Sequence, residues 1–238
     1  MKIAYLFHGH MRSWDKCYQS FFDNVFSVAP GDIYIHTWYR INSKYGSFWS
    51  ENPNDELANE YEKISSRQIN LNDIENAYNP KHIIIERDSG IILPLEKLPK
   101  NITNNSNISL AHIAVYNMVK AQSDVFNIST MYGDYDVYFS LRPDILFESK
   151  FNIDYFHPMN AMKVPISFNK YFVLDVYAFG DKKTMSIRAN FVNHIYQYWY
   201  SKPNLYQYCI EHAATKYYND NTITIKQIPL EWKFIRLF

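Results

Sequence analysis

The sequence has little cysteine, little glycine and no excess of charge of either sign. Its 238 residues include 2 cysteines and 6 glycines, and 24 basic residues balance 24 acidic ones. Cys17 and Cys209 are far apart and form no CxxC spacing, which argues against a disulfide framework and a cysteine zinc site. The balanced charge provides no general field to attract nucleic acid or an anionic membrane surface. Any anion site must therefore be local.

Long hydrophobic runs are also missing. The longest early apolar run, Ile3 to Phe7, is too short for the core of a signal peptide. No stretch approaches the roughly 20 apolar residues of a membrane span. We therefore expect a cytoplasmic protein without a transmembrane segment and without a nucleic-acid partner. Because no repeat or low-complexity linker divides the chain, a single domain over residues 1–238 is the simplest interpretation.

Short apolar runs alternate with helical patterns along the chain. Lys2–Phe7 and Asp32–Trp38 are typical of strands, and aromatic residues recur at helical spacing between them. This order predicts a parallel βαβ unit with a right-handed crossover. Further strands are predicted at 82–88, 135–147, 161–167, 171–180 and 222–228, and further helices at 109–126, 182–200 and 205–218. The predicted fold class is α/β: a Rossmann-like, mostly parallel sheet flanked by helices.

Chemically marked groups lie at the ends of several predicted strands. His-Gly-His-Met-Arg follows the first strand, His-Thr-Trp ends the second, Arg-Pro-Asp follows the fourth, and Asp-Val-Tyr-Ala-Phe-Gly ends a later one. In an open parallel α/β sheet, ligands bind beyond the carboxyl ends of the strands, where loops and helix N-termini converge. The four groups together therefore predict a binding site at one edge of the sheet.

The group after the first strand fits an anion-binding turn. Gly9 would let backbone approach a phosphate, and Arg12 could pair with diphosphate oxygens. The alternative is a plain strand-to-helix turn with a surface arginine. His8, His10 and His36 all lie at strand ends, which leaves a histidine metal site open.

The group after the fourth strand combines a cation with a carboxylate. Pro143 biases Arg142 towards an extended backbone and stiffens the turn. Asp144 could ligate a divalent ion while Arg142 faces the same phosphates. A purely structural ion pair between Arg142 and Asp144 is the alternative.

The order of these segments resembles a known family. IAYLFHGHMRSW, DIYIHTW, HIAVYNMVKA, YDVYFSLRPDILF and DVYAFG, followed by two helices, are similar to the pattern strand-SGQxR, DxFxHTW, YSxxKA, YDxxxRxRxD and DxFxxG. That pattern is typical of small bacterial and viral glycosyltransferases of surface polysaccharide synthesis, such as O-antigen or capsule. The resemblance covers nearly the whole chain, from Met1 to the C-terminal Phe-Ile-Arg. It implies a GT-A-like fold with RxD where DxD is usual.

The resemblance also implies ligands and site residues. A nucleotide diphosphate sugar would be the donor, Mn²⁺ or Mg²⁺ would bind with it, and a glycan or lipid-linked molecule would be the acceptor. The donor-binding residues would be Gly9, Arg12, Thr37, Trp38, Tyr116, Lys120 and Arg142, with Asp144 as the metal ligand. Asp175 would lie near the acceptor. If the reaction inverts the anomeric configuration, which the sequence leaves open, Asp175 is the expected base, with Glu211 and Glu231 as the next candidates. His8, His10, Asn117 and Ser140 depart from the family pattern.

Two other functional classes remain open. A non-catalytic nucleotide- or glycan-binding module would keep the same fold. A metal-dependent phosphoesterase would use His8, His10, His36 and Asp144 on a similar sheet. Peripheral association with a membrane-bound acceptor is compatible with the transferase hypothesis. The sequence specifies neither the nucleotide base, the sugar nor the oligomeric state.

Overall fold

The computed structural model describes residues 1–39, 69–86, 106–166, 176–199 and 210–235, with residues 106–114 and 199 described by their backbone alone. The strands in these ranges are β1 (Ile3–His8), β2 (Asp32–Trp38), β3 (His82–Glu86), β4 (Val137–Leu141), β5 (Ile145–Phe147), β6 (Ala161–Pro165), β7 (Tyr177–Gly180), β8 (Thr224–Ile228) and β9 (Trp232–Phe234). The α-helices are α1 (Trp14–Phe21), α2 (Leu71–Tyr78), α3 (Ser106–Tyr132), α4 (Lys182–Asn190), α5 (Ile195–Trp199) and α6 (Ile210–Asp220). None of the helices in these ranges combines the length and the apolar character needed to cross a membrane.

Seven strands form one mixed sheet in the order β3-β2-β1-β4-β7-β6-β8. The first four strands of that order are mutually parallel, and β6 is parallel to β8. Only β7, among the strands of this described sheet, runs antiparallel to its neighbours β4 and β6. The predicted α/β class, with a mostly parallel sheet flanked by helices in a single domain, is confirmed at this level.

The sheet separates two apolar cores. Tyr5 and Phe7 face α1, where each ring lies 5.0 Å from the ring of Phe21. Leu6 and Tyr138 face α3, where the ring of Tyr138 lies 5.0 Å from that of Phe126. Successive residues of a strand point to opposite faces, so a strand covered on both faces is apolar throughout. This explains the unbroken apolar run of β1.

Helix α3 is longer than the sequence pattern indicates. The sequence pattern predicts a helix over 109–126, but Ser109 lies inside a helix that already includes Ser106 and continues to Tyr132. Near its end, Ser129 and Thr130 donate from their hydroxyls to carbonyl oxygens one turn back, both at 2.7 Å. These local bonds satisfy polar side chains within a helix, so the helix does not stop at Phe126.

The stretch predicted as one strand over 135–147 divides between two sheets. β4 belongs to the main sheet, whereas β5 pairs antiparallel with β9 in a separate two-stranded sheet that the sequence pattern did not reveal. The turn between β4 and β5 is formed by Arg142, Pro143 and Asp144. This turn therefore connects the two sheets.

The helix predicted over 182–200 is also interrupted. α4 begins after Asp181, whose side chain accepts a 2.7 Å hydrogen bond from the Thr184 backbone N–H. A short 3₁₀ turn over Phe191–Asn193 then separates α4 from α5. Those parts of the predicted helices and strands that fall in 40–68, 87–105, 167–175, 200–209 and 236–238 lie outside the described residues.

Candidate functional site at the carboxyl edge of the parallel strands

The carboxyl ends of β3, β2, β1 and β4 meet at one edge of the sheet. His8 pairs in register with His36, Trp38 with Glu86, and Phe7 with Leu141. The marked groups after the first, second and fourth predicted strands are therefore neighbours, as the sequence pattern predicted. We call this region the carboxyl edge.

The later Asp-Val-Tyr-Ala-Phe-Gly segment is described from Val176, and Val176 and Tyr177 lie at the carboxyl edge, whereas Gly180 lies away from it. β7 is antiparallel to β4, so Tyr177 pairs with Leu141 while Gly180 pairs with Tyr138. The backbone N–H of Arg142 donates to the Val176 carbonyl at 3.2 Å. The expectation that this strand ends at the edge was wrong in direction, because a reversed strand brings its first residue there.

Gly9 forms the turn immediately after β1. Its φ of +112° lies in a region that side chains with a Cβ rarely adopt, which explains the glycine. Its N–H donates to the His36 carbonyl at 3.2 Å, so the turn is tied to β2. A Cβ at Gly9 would lie 3.9 Å from Cδ of Pro143, so the turn after β1 also approaches the turn after β4.

Arg142 and Asp144 form a bidentate ion pair at the end of β4. Nε of Arg142 donates to Oδ1 of Asp144 at 2.9 Å, and Nη2 donates to Oδ2 at 2.7 Å. The Arg142 guanidinium also lies 4.7 Å from the ring centre of Phe234, on β9. The predicted pairing of cation and carboxylate is present, and the aromatic ring adds a cation–π contact.

Asp144 is buried, with 3% of its surface exposed. Burial by itself would raise the pKa of its carboxyl, but the charge and hydrogen bonds of Arg142, with the nearby charge of Arg12, lower the pKa below its usual value. Asp144 is thus ionised at neutral pH and interacts with both guanidinium groups. Its role as a metal ligand stays a prediction, since both of its oxygens already accept hydrogen bonds from Arg142.

A second ionic cluster lies across β2, β3 and α3. Nζ of Lys120 donates to Oε1 of Glu86 at 2.9 Å and to Oδ2 of Asp124 at 2.5 Å. Nε2 of His36 lies 3.5 Å from that Glu86 oxygen and 3.7 Å from that Asp124 oxygen. His36, Glu86 and Asp124 form a group that could hold a metal ion. In this structure the Lys120 ammonium bonds to both carboxylates of the group.

The two histidines at the ends of β1 and β2 are buried. Burial, followed by the charges of Arg188 and Arg142 and by His36, lowers the pKa of His8 well below its ordinary value. Burial also lowers the pKa of His36, against the opposing effect of Glu86 and Asp124. Both rings are therefore neutral at neutral pH, the state in which histidine binds metals. His8, His10 and His36 do not form a group of potential metal ligands, since His36 groups instead with Glu86 and Asp124. The ring of His10 packs against Trp38 at 4.7 Å.

The other predicted donor residues have different surroundings. Trp38 is buried, and its indole N–H donates to Oε2 of Glu86 at 3.2 Å. Thr37 is buried on the opposite face of β2, the α1 side, by strand alternation. Tyr116 stacks on Tyr196 of α5, with ring centres 6.1 Å apart. Trp38 therefore contacts the second ionic cluster through Glu86, whereas Thr37 lies on the opposite, α1 side of the sheet.

The candidates for a catalytic base are less well placed. Asp175 lies outside the described residues, and Val176 is the next residue that the structure describes. Glu231 is exposed beside the β5–β9 sheet, where its backbone N–H bonds to the Ser149 hydroxyl. Glu211 lies on α6 and lines a crevice with Arg188. The assignment of a base stays a prediction.

Sequence reasoning missed Glu86, Asp124 and Arg188. Glu86 lies near the end of the strand predicted over 82–88, and Asp124 follows Lys120 by four residues, which is the spacing of neighbours on one helix face. Arg188 shares the buried stripe of α4 with Met185, at the three-residue spacing of one helix face. These spacings were the available signals, and they become informative only when the partner elements are known.

No known protein family model matches this chain, and no curated protein matches it significantly.

Proposed function

We propose that this chain is a GT-A-like glycosyltransferase that moves a sugar from a nucleotide diphosphate sugar to a glycan or lipid-linked acceptor. One observation carries the proposal. The left-handed Gly9 turn and the Arg142–Asp144 pair lie side by side at the ends of β1 and β4, within the electrostatic reach of Arg12. The carboxyl edge of parallel strands is where α/β domains bind nucleotides. The mixed, mostly parallel sheet is compatible with a GT-A-like architecture.

The chemistry of glycosyl transfer fits these residues. When the bond to the sugar breaks, negative charge develops on the departing diphosphate, and positioned cations stabilise that charge. Arg12 and Arg142 are the proposed cations. Asp144 holds the Arg142 guanidinium by two parallel bonds, so the geometry of that cation is fixed before the donor arrives.

The proposed metal is Mn²⁺ or Mg²⁺, bound together with the donor. Oxygen ligands suit both ions, and the metal would supply further neutralisation of the diphosphate. Two placements are proposed. At Asp144, as the family resemblance implies, the metal would have to displace a hydrogen bond from Arg142. At the His36, Glu86 and Asp124 group it would have to displace the Lys120 ammonium. Asp175, which directly precedes Val176 in the sequence, is the proposed base for activating the acceptor.

Donor binding tests this proposal. Thermal unfolding is measured with a panel of nucleotide diphosphate sugars, each with and without Mn²⁺, because a ligand that binds the folded state raises the unfolding midpoint. At least one donor is expected to raise the midpoint. Arg12→Ala should then raise the donor dissociation constant by roughly tenfold or more, through loss of a charge-assisted hydrogen bond.

Lys16→Ala is the matched control for this experiment. Lys16 is an exposed cation on α1, a few residues from Arg12, and its loss should leave donor affinity unchanged. Slow hydrolysis of the bound donor would favour a transferase over a non-catalytic binding module. If no nucleotide sugar changes the midpoint, or if Arg12→Ala binds the donor as the wild type does, the proposal fails.

A metal-dependent phosphoesterase is the second candidate. The observation that favours it is the His36, Glu86 and Asp124 group, which combines a neutral imidazole with two carboxylates. Release of inorganic phosphate from simple phosphate esters in the presence of Mn²⁺, without any dependence on a nucleotide sugar, would support this alternative.

A further inference from the structure

Arg188 is a buried cation that belongs to none of the ion pairs described at the carboxyl edge. It lies on α4 with 4% of its surface exposed. Its Nη1 donates to the Tyr218 hydroxyl at 3.4 Å, and its Nε has no hydrogen-bond partner among the described residues. No carboxylate of the described residues forms a salt bridge with it. Buried charges are normally paired with an opposite charge. This guanidinium instead bonds to one neutral hydroxyl, so it lacks a counter-ion and further hydrogen-bond acceptors.

Two adjoining crevices lie against this guanidinium. One, of about 260 Å³ when the solvent-open space at its mouth is counted, is lined by apolar residues of α3, α4 and α6 together with Gln122, Glu211 and Tyr218. The other, of about 180 Å³ counted in the same way, lies between the sheet and the helices α3 and α4, and Ser140 lines it. Arg188 and Gln122 line both crevices, so the guanidinium lies where the two spaces meet. We call the two spaces together the Arg188 crevice.

Another unsatisfied polar group lines the same space. Ser140 is 3% exposed, and its hydroxyl has no hydrogen-bond partner within the part of the chain that the structure describes. It faces the α3 side of the sheet, since it pairs in register with Leu6. The charge of Arg188 also reaches His8, two residues further along the same face of β1. A fixed cation and a hydroxyl donor therefore line the crevice together.

We propose that the Arg188 crevice binds a small oxyanion, a carboxylate or a phosphate group, with Arg188 as its counter-ion and the Ser140 hydroxyl as a further donor. The planar guanidinium presents parallel N–H groups that match two oxygens of such an anion. The neighbouring side chains of Gln122 and Tyr218 are polar and uncharged, so they suit the remaining oxygens. This inference does not depend on the proposed transferase function.

Glu211 is the internal alternative to a bound anion. Glu211 lines the larger crevice together with Arg188, and it is the acidic residue among the described residues of that lining. The two cases make opposite predictions. If Glu211 neutralises Arg188 in solution, Glu211→Gln should create an anion dependence of stability that the wild type lacks. If the crevice binds an external oxyanion, the wild type itself shows that dependence.

Calorimetric titration of the full chain with sodium acetate and with sodium phosphate, at constant ionic strength, tests the proposal. We expect saturable binding of at least one anion, with a dissociation constant on the order of 1 mM or tighter. The preferred anion identifies the ligand as a carboxylate or a phosphate. Arg188→Met should weaken that binding by roughly tenfold or more, whereas Arg188→Lys, which retains the charge, should weaken it less.

Lys183→Met is the matched control, since it removes an exposed cation from the same helix. Its anion binding should equal that of the wild type. The thermal midpoint gives an independent readout: Arg188→Met should unfold at the same or a higher temperature than the wild type without the anion, because an unpaired buried charge is lost. Absence of saturable binding to the wild type, or equal binding by Arg188→Met, would overturn the proposal.

Discussion

At the residue scale, Asp144 illustrates how a buried carboxylate stays ionised. It is almost fully buried, yet Arg142 and Arg12 lower its pKa. The unfolded carboxyl, with a pKa of about 3.9, therefore takes up a proton at a higher pH than the folded one. The pair contributes its full stability above that value and loses it as the pH falls through the lower, folded pKa.

The first prediction concerns this ion pair. Arg142→Met should lower the free energy of unfolding by about 3 kcal/mol at neutral pH, because it leaves a buried carboxylate without its main partner. The double variant Arg142→Met/Asp144→Leu should recover most of the loss. Urea unfolding at pH 7 measures both, and repeating it down to pH 3 should show the deficit of Arg142→Met shrinking as Asp144 is protonated. Asp15→Asn, which removes an exposed carboxylate, is the control for charge alone.

The second prediction concerns the turn after β1. Gly9→Ala should destabilise the fold by about 1–3 kcal/mol, because alanine is strained at a φ of +112°. Gly133→Ala is the control, since a Cβ there meets nothing closer than 3.8 Å, from the Tyr135 ring. Chemical denaturation compares the two variants. Equal stability of Gly9→Ala and Gly133→Ala would contradict the prediction, and it would show that the turn changes conformation to accommodate alanine without strain.

At the element scale, the Lys120 cluster connects one helix to two strands. The sequence predicted Lys120 as a donor-facing residue, and the structure places its ammonium between Glu86 of β3 and Asp124 of α3, beside His36 of β2. A cation thus already lies against the carboxylates that would hold a metal. Metal and Lys120 are expected to compete for the same oxygens.

The third prediction follows from that competition. Lys120→Met should increase the affinity of the ligand-free protein for Mn²⁺ or Co²⁺ by roughly tenfold or more, since it leaves two carboxylates and an imidazole without the ammonium. Isothermal titration, with Co²⁺ absorption as a second signal, measures the change. Lys182→Met, which breaks an exposed pair with Asp134, is the matched control. Affinity unchanged from the wild type would mean that the three groups do not form a metal site.

The sequence predicted those elements whose signal is local. The apolar runs of β1 and β2 and the groups that follow them were placed correctly, because alternation and turn residues are properties of neighbouring positions. The reversal of β7 and the pairing of β5 with β9 depend on contacts between distant segments. Glu86 and Asp124 were missed for the same reason. Neither carboxylate indicates a site by itself, because the two come together only when α3 packs against the end of β3. Burial of Arg188 likewise requires α6 to be in place.

At the scale of the whole molecule, the seven-stranded sheet contributes side chains to both apolar cores. Phe139 of β4 is fully buried on the α1 side, where its ring lies 4.6 Å from that of Phe179. Tyr138, the preceding residue, packs into the α3 side. Neither core is complete without the strands that it shares with the other. We therefore expect the two layers to unfold together.

The fourth prediction tests this cooperativity. Phe139→Ala, on the α1 side, and Phe191→Ala, on the α3 side, should each lower the free energy of unfolding by about 3–5 kcal/mol through loss of buried ring contacts. Each should lower the midpoint of a single transition, by about 2–4 °C per kcal/mol for a chain of this size. Far-ultraviolet circular dichroism and tryptophan fluorescence should report coincident midpoints for both variants. Met131→Ala, at a position that is 79% exposed, should leave that midpoint almost unchanged. Separate transitions for the two signals, with each variant moving only one of them, would mean that the layers on either side of the sheet are independent folding units despite the strands they share.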